Sequence, residues 1–247
     1  MTDRASAGRW IYEFVDDPPS RGDPVDLLGG KGANLAEMSR VLGLPVPPGF
    51  IITTEACRAY MESGWPEDLD GELDSALERL GKQLGARLGD VDKPLLVSVR
   101  SGAPVSMPGM MDTLLNVGIT PAIREGLARG SAAFAADTWL RFSTMYADLV
   151  LGVALTAPAE EAVREATDAD SKLRAADRVH TAACEVGGIP ESPREQIRGA
   201  VEAVFRSWNS PRARVFREQE NLPDSLGTAV VIQAMVFGNL DDRSGTG

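Results

Sequence analysis

The stretch that decides the fold is VRSGAPVSMPGMMDTLLNVG, residues 99–118. An apolar, strand-like run enters it and another leaves it, while its middle is rich in glycine, proline and methionine. Glycine and proline at this density are typical of a loop. The question is why a loop should also carry Arg100, a Ser-Met-Pro-Gly-Met-Met core and the Asp112-Thr113 pair.

The residues around this loop predict the strands of an α+β fold. PLLVSVR, residues 94–100, is an almost continuous apolar run, and it predicts a strand that is buried on both faces. TLLNVGI, residues 113–119, predicts the strand that follows the loop. Three further runs predict strands: RWIYEF (9–14), LPVPPGFIITT (44–54) and GTAVVIQAMVFG (227–238).

Helix signals fill most of the remaining chain. LLGGKGANLAEMSRVLG, residues 27–43, predicts a glycine turn that opens a helix, with Gly43 as its end. Thr53 or Thr54 is the predicted cap of the next helix. Residues 70–88 predict an amphipathic helix whose apolar face is Leu73, Leu77, Leu80 and Leu84. From about 120 to 208 the pattern is almost wholly helical, and one of these helices is predicted to begin at Ser192-Pro193.

This order of elements predicts three parts. Residues 1–119 form an α/β lobe with the lysine turn and the glycine-rich loop, residues 120–192 form a helical subdomain, and residues 193–247 supply a helix and a strand that return to the body. The sequence ends in DDRSGTG, a turn signal with no strand after it. A hairpin needs a second strand, so we expect a fold that is incomplete at its carboxyl end.

Composition excludes several classes of function. The formal charge of −11 disfavours nucleic acid and acidic membranes as partners, because the protein's field repels phosphate polymers. No apolar run approaches the roughly 18 residues of a membrane span, and the first residues lack a signal peptide, so a cytoplasmic location is expected. Cys57 and Cys184 are too few and too far apart for a disulfide framework or a zinc site, and both are predicted to be reduced core thiols.

Two glycine-rich turns each carry one positive charge: GGKGAN with Lys31, and the 99–118 loop with Arg100. Glycine lets backbone approach a phosphate, and a helix that opens after such a turn directs N–H groups at an anion. These features describe a polyphosphate cradle. GGKG does not match the Walker pattern, however, and a helix cap with a surface lysine, or a strand-end arginine paired with a carboxylate, explains each half as well.

Five segments together resemble a known family. LLGGKGANLAEM, PVPPGFIITTEAC, PLLVSVRSGAPVSMPGMMDTLLNVG, AVFRSWNSPRARV and VVIQAMVFGN occur in the order found in the amino-terminal nucleotide-binding domain of the pyruvate, phosphate dikinases. The resemblance covers nearly the whole chain and is weakest from about 150 to 190. SMPGMMDT is its specific part, because related phosphoenolpyruvate synthases and antibiotic phosphotransferases usually have an acidic, Leu-Pro-containing segment there.

The resemblance implies an ATP-grasp-like fold with ATP between two lobes and a glycine-rich loop over its phosphates. By this resemblance, Lys31 and Arg100 are the catalytic residues, since they bind and orient the phosphates as the β-phosphorus is attacked. It also implies a set of nucleotide contacts in the loop and at the adenine edge: Gly109, Met111, Asp112, Thr113, Gln233, Met235 and Val236.

In this family, ATP pyrophosphorylates a histidine on a separate phosphohistidine domain and AMP is released. Inorganic phosphate then splits that group, and the remaining phosphoryl group passes to pyruvate in a barrel domain. The overall reaction converts ATP, phosphate and pyruvate into AMP, pyrophosphate and phosphoenolpyruvate. The resemblance therefore implies ATP, Mg²⁺ and those two domains as partners, with the Mg²⁺ ligands expected beyond the end of this chain. No metal ligand is assigned within it, Asp241 and Asp242 included, and the context of His180 does not match the family's phosphohistidine.

The isolated chain is therefore expected to contribute to a phosphotransferase without completing the full reaction. Two alternatives stay open: a non-catalytic nucleotide-binding module, and a phosphotransferase related to phosphoenolpyruvate synthase.

Overall fold

The computed structural model describes residues 9–17, 23–107, 113–240 and 244–245. Helices and antiparallel strands together make this an α+β fold, as the sequence predicts. The strands are β1 (Ile11–Glu13), β2 (Gly49–Ile52), β3 (Val97–Gly102), β4 (Thr113–Val117) and β5 (Ala229–Ala234). The helices are α1 (Pro24–Ala36), α2 (Thr54–Ser63), α3 (Leu69–Leu84), α4 (Pro121–Ala128), α5 (Ala132–Leu149), α6 (Ala157–Glu165), α7 (Ala169–Cys184), α8 (Pro193–Ser207) and α9 (Pro211–Gln219).

The strands form one sheet in the order β1-β2-β5-β3-β4. β1 runs antiparallel to β2, with Tyr12 opposite Ile51. β3 runs antiparallel to β4, and Arg100 faces Thr113 across that pair. Every residue of β3 except Arg100 is buried, which confirms the strand predicted from its continuous apolar run.

The chain divides into two compact units, and β3 and β5 contribute residues to both. The first unit comprises the described residues of Met1–Leu77, Ser101–Met111 and Phe205–Ile232. One core cluster in this unit packs α1 against strands, with Leu28 beside Ile51 and Val231. Asp23 caps α1 by accepting a hydrogen bond from the Val25 N–H, and Thr53 caps α2 through the Ala56 N–H.

The second unit comprises the described residues of Glu78–Arg100, Asp112–Val204 and Gln233–Gly247. Helix α5 is its centre, and Trp139, Phe142 and Tyr146 are buried along one face. The Gln196 amide accepts from the Gly118 N–H at 3.0 Å and donates to two backbone carbonyls, those of Ile119 and Pro190. The Gly118 N–H and the Ile119 carbonyl oxygen, which belong to a buried loop, are therefore both paired.

The boundaries of several elements confirm the sequence signals, and others correct them. Gly43 follows a short π-helical turn, Glu37–Val41, with a left-handed φ of 61°. Helix α3 ends at Leu84 and not at residue 88, because Gly85 takes a left-handed φ there, so Leu84 is exposed. Cys184 is also exposed, since it is the last residue of α7; the prediction of a core thiol was right for Cys57 and wrong for Cys184.

None of the helices in the described ranges is both long enough and apolar enough to span a membrane. The three-part division with boundaries after residues 119 and 192 stays a prediction.

Candidate nucleotide site

The lysine turn lies inside α1, which consists of two helical pieces joined at Gly29. Gly29 has φ 68° and ψ 159°, a conformation that is essentially restricted to glycine. A Cβ at this position would lie 1.6 Å from the carbonyl oxygen of Gly102, so no other residue fits. The second piece of the helix therefore begins against the end of β3, and it places Lys31 and Asn34 three residues apart on one face.

Residues 101–107 form a wall beside this turn, and two hydrogen bonds attach it. The Lys31 ammonium donates to the Ser101 carbonyl oxygen at 2.9 Å. The Gly30 N–H donates to the Ala103 carbonyl oxygen at 3.0 Å. The sequence predicts N–H groups at this helix start that point at an anion, and the structure shows that the Gly30 N–H is already paired within the protein.

A cavity of about 560 Å³ lies between the lysine turn and the wall. We call it the Lys31 cavity; its lining is Gly30, Lys31, Asn34 and residues 101–107. Its volume falls within the range of about 300–1,000 Å³ that is typical of small-molecule sites. A cation, a carboxamide and hydroxyl groups converge there with backbone polar groups, which is a suitable environment for a polar anionic ligand.

In the second unit, Arg100 lies near the end of β3. Its Nη1 donates to the Gln233 Oε1 at a long 3.4 Å. Its Nε is buried and has no hydrogen-bond partner among the residues that the structure describes. Arg100 also makes no ion pair within the described ranges. The buried Nε, as part of a planar fork, suits an oxygen of a phosphate.

A second cavity, of about 290 Å³, lies in the same unit at the end of β5. Met235 and Val236, both predicted at the adenine edge, line it together with Asp137. The Met235 N–H is engaged, because it donates to the Leu96 carbonyl oxygen at 3.0 Å. Gln233 is directed to Arg100 and does not line the cavity. The predicted backbone contact to the base is therefore left to the Met235 carbonyl and the backbone of Val236.

Asp137 lines this second cavity, and three hydrogen bonds hold its carboxylate in place. Its carboxylate accepts from Lys172 at 2.6 Å, from Arg141 at 2.7 Å and from the Asn239 amide at 3.3 Å. Burial by itself raises the pKa of this carboxyl group, but the hydrogen bonds from Lys172 and Arg141 outweigh it and bring the pKa below its ordinary value. Asp137 is therefore a fixed negative charge beside the segment that follows β5.

The structure thus brings some of the predicted residues together and leaves others undecided. Arg100, Gln233 and Thr113 are neighbours in the second unit: Arg100 bonds to Gln233 and faces Thr113 in the β3–β4 register. Gly109, Met111 and Asp112 lie outside the described residues. Within the described ranges, no group of three or more His, Cys, Asp or Glu side chains is placed to hold a metal ion.

Several lining residues were missed at the sequence level, among them Asn34 and Asp137. Asn34 had a usable signal, since it lies three residues after Lys31 in a predicted helix and so shares its face. Asp137 had none, because it is about a hundred residues away from Met235 and nothing local marks a carboxylate in the middle of a helix as part of a cavity.

Comparison with known proteins gives a matching family and several similar proteins. The family described as "Pyruvate phosphate dikinase, AMP/ATP-binding domain" matches residues 25–64 and 61–247. Pyruvate, phosphate dikinase of Clostridium symbiosum is 43% identical over 97% of this chain and 29% of its own length. The Rhizobium meliloti protein is 44% identical over 97% of this chain and 28% of its length. The chloroplastic protein of Flaveria trinervia is 45% identical over 91% of this chain and 25% of its length. The chain thus spans between a quarter and a third of these relatives.

Proposed function

Since this chain belongs to the family of pyruvate phosphate dikinase AMP/ATP-binding domains, we propose that it is the ATP-binding portion of a pyruvate, phosphate dikinase. The observation that carries the proposal is the Lys31 cavity, where a glycine-restricted turn and a wall with two serines surround one ammonium group. The ATP-grasp architecture is part of this proposal, and the established α+β character of the fold supports it.

Lys31 and Arg100 are the proposed phosphate ligands. The Lys31 ammonium now donates to a neutral carbonyl oxygen, and a phosphate oxygen is a stronger acceptor for a charged donor. Arg100 has a buried Nε without a partner in the described ranges, so binding a phosphate oxygen would satisfy it. Phosphoryl transfer relies mainly on positioning and charge neutralisation, which these two cations provide as the β-phosphorus is attacked.

For the base, we propose contacts with Gln233, Met235 and Val236, supported by the cavity that the latter two line. Gly109, Met111, Asp112 and Thr113 are the proposed loop contacts. Mg²⁺ is expected to accompany the phosphates. The described side chains do not offer it a ligand cluster, so no step is assigned to protein-bound metal.

In the complete protein, we propose that the bound ATP pyrophosphorylates a histidine on a phosphohistidine domain and that AMP is released. Inorganic phosphate then splits the group and leaves as pyrophosphate, and the phosphoryl group that stays on the histidine passes to pyruvate in a barrel domain. The names of the relatives support this assignment. Those domains are the proposed partners of this chain.

Calorimetric titration of the chain with ATP, with and without Mg²⁺, tests the proposal. Lys31→Ala and Arg100→Ala are each expected to weaken ATP binding by at least about tenfold, which corresponds to about 1.4 kcal/mol. Lys82→Ala and Arg129→Ala are matched controls, because both side chains are exposed, pair with surface carboxylates and lie outside both cavities. Their affinities are expected to equal that of the wild type.

Circular dichroism and thermal unfolding show whether each variant is folded. A folded wild-type chain that does not bind ATP at millimolar concentration contradicts the proposal. Unchanged ATP affinity in both the Lys31 and Arg100 variants contradicts the assignment of these residues.

A further inference from the structure

The wall of the Lys31 cavity rests on an apolar cluster from a distant part of the sequence. Ala103 and Met107 are buried in one cluster with Trp208 and Ala213, and Phe216 and Leu226 pack against it. We call Trp208, Ala213, Phe216 and Leu226 the Trp208 socket. Because the socket holds both Ala103 and Met107, it fixes the wall segment 103–107 at its two ends.

Trp208 itself is held in one orientation. It is 2% exposed, and its indole Nε1 donates to the Asp224 carbonyl oxygen at 2.9 Å. The guanidinium carbon of Arg217 lies 4.3 Å from the centre of its ring. Arg217 Nη1 also donates to the Trp208 carbonyl oxygen. The face and the N–H of the indole are both engaged, and the backbone carbonyl of the same residue is bonded to Arg217. The ring therefore has little freedom to rotate.

Arg217 is an unusual residue to find in this position. It is 1% exposed, although it carries a full charge. Its Nε and Nη2 donate to the Asp224 Oδ1 at 2.9 and 2.7 Å, and the Asp224 side chain is largely exposed. Apolar residues of similar volume often stabilise a fold as well as a buried ion pair does. A planar, five-donor fork that orients an indole therefore indicates a geometric requirement.

The geometric requirement concerns residues 101–107, which have to keep their position beside the lysine turn. The Ser101 carbonyl binds the Lys31 ammonium, and the Ala103 carbonyl binds the Gly30 N–H. Movement of residues 101–107 therefore moves both partners of the lysine turn. A displacement near 1 Å in a site of this kind can cost up to about a hundredfold in function.

We propose that Trp208, oriented by Arg217, is a positioning residue of the ATP site that fixes residues 101–107 against the lysine turn. This inference rests on the proposed function, and neither side chain lines the Lys31 cavity. The effect is expected on ligands that carry the phosphates and not on the nucleoside alone, because the wall belongs to the cavity that holds Lys31.

The test compares Trp208→Leu and Arg217→Lys with Leu73→Ala. Leu73 is a fully buried residue of α3 in the same unit but outside the socket, so it serves as a control for general loss of stability. Trp208→Phe is the milder variant if Trp208→Leu does not fold. The probes are ATP and adenosine, titrated separately by calorimetry. Hydrogen exchange of the Gly30 amide reports the wall contact without any ligand.

In Trp208→Leu and Arg217→Lys, the affinity for ATP is expected to fall about tenfold, which is about 1.4 kcal/mol, while that for adenosine changes less than about twofold. The Gly30 amide is expected to exchange faster in these variants, and in Leu73→Ala it should do so only as far as global stability falls.

Three results would overturn the inference. Socket variants that keep wild-type ATP affinity and wild-type Gly30 exchange would refute it while leaving the proposed function intact. A parallel loss of ATP and adenosine binding, as expected of a merely destabilised protein, would assign the socket to stability alone. A folded wild-type chain that does not bind ATP would overturn the proposed function, and this inference with it.

Discussion

Substituting Gly29 by alanine tests the geometry of the lysine turn most directly. At Gly29 two obstacles coincide: its φ of 68° and ψ of 159° disfavour any side chain, and a Cβ would lie 1.6 Å from the Gly102 carbonyl oxygen. Gly43 is a matched control, because it also has a left-handed φ, 61°, but a Cβ added there would meet no atom within 4 Å. Gly43→Ala therefore controls for the cost of a left-handed φ, and the additional loss in Gly29→Ala reports the close approach of the backbone together with the unusual ψ of Gly29.

The expected magnitude follows from these terms. An unfavourable backbone conformation costs about 1–3 kcal/mol. Relief of the overlap adds about 1–3 kcal/mol, as for other overpacked sites. Loss of the adjacent bond from Gly30 to Ala103 adds about 1 kcal/mol. We expect Gly29→Ala to lower the free energy of unfolding by about 4 kcal/mol and Gly43→Ala by about 1 kcal/mol, where only the conformational cost applies.

Urea denaturation gives the free energy of unfolding, and thermal unfolding gives a second measure. For a chain of this length, about 1 kcal/mol lowers Tm by about 2–4 °C, so Gly29→Ala is expected to lower Tm by about 8–16 °C. ATP affinity is expected to fall in Gly29→Ala and not in Gly43→Ala, because only the former displaces the wall. Equal destabilisation by the two substitutions would refute the close contact between Gly29 and Gly102.

Two further predictions concern titration and thiol chemistry. The ring of His180 stacks on Trp139 and bonds to the Ser143 hydroxyl, and burial lowers the pKa of this imidazole. Because the unfolded chain then binds the proton more readily than the folded chain, the free energy of unfolding should fall as the pH drops below about 6.5. Urea midpoints at pH 7.5 and 5.5 test this, and a pH dependence as large in His180→Phe as in the wild type would contradict it. Burial also raises the pKa of the Cys57 thiol to about 11, whereas Cys184 is exposed. A thiol reagent at pH 8 should therefore modify only Cys184 in the native protein, and it should modify Cys57 as well once the protein is denatured. Rapid native modification of Cys57, located by mass spectrometry and compared with Cys57→Ser, would contradict the buried position.

Local signals in the sequence determined much of the secondary structure and the family. An uninterrupted apolar run predicts β3, Thr53 predicts the start of α2, and Ser192-Pro193 predicts the start of α8, whose Gln196 N–H bonds back to the Ser192 carbonyl. These signals can be read from the sequence because strand burial, capping and helix initiation depend on a few consecutive residues. The same holds for the motif that carries the family resemblance.

Only the tertiary structure decided how the candidate site is built. Gly29 is required because it meets Gly102, Lys31 is held by the Ser101 carbonyl, and Met107 packs on Trp208. Each of these contacts joins residues about seventy to a hundred positions apart. Sequence patterns report which face of an element is buried, but the partner on that face depends on how the whole chain packs, and packing is specific to atoms that no local pattern encodes.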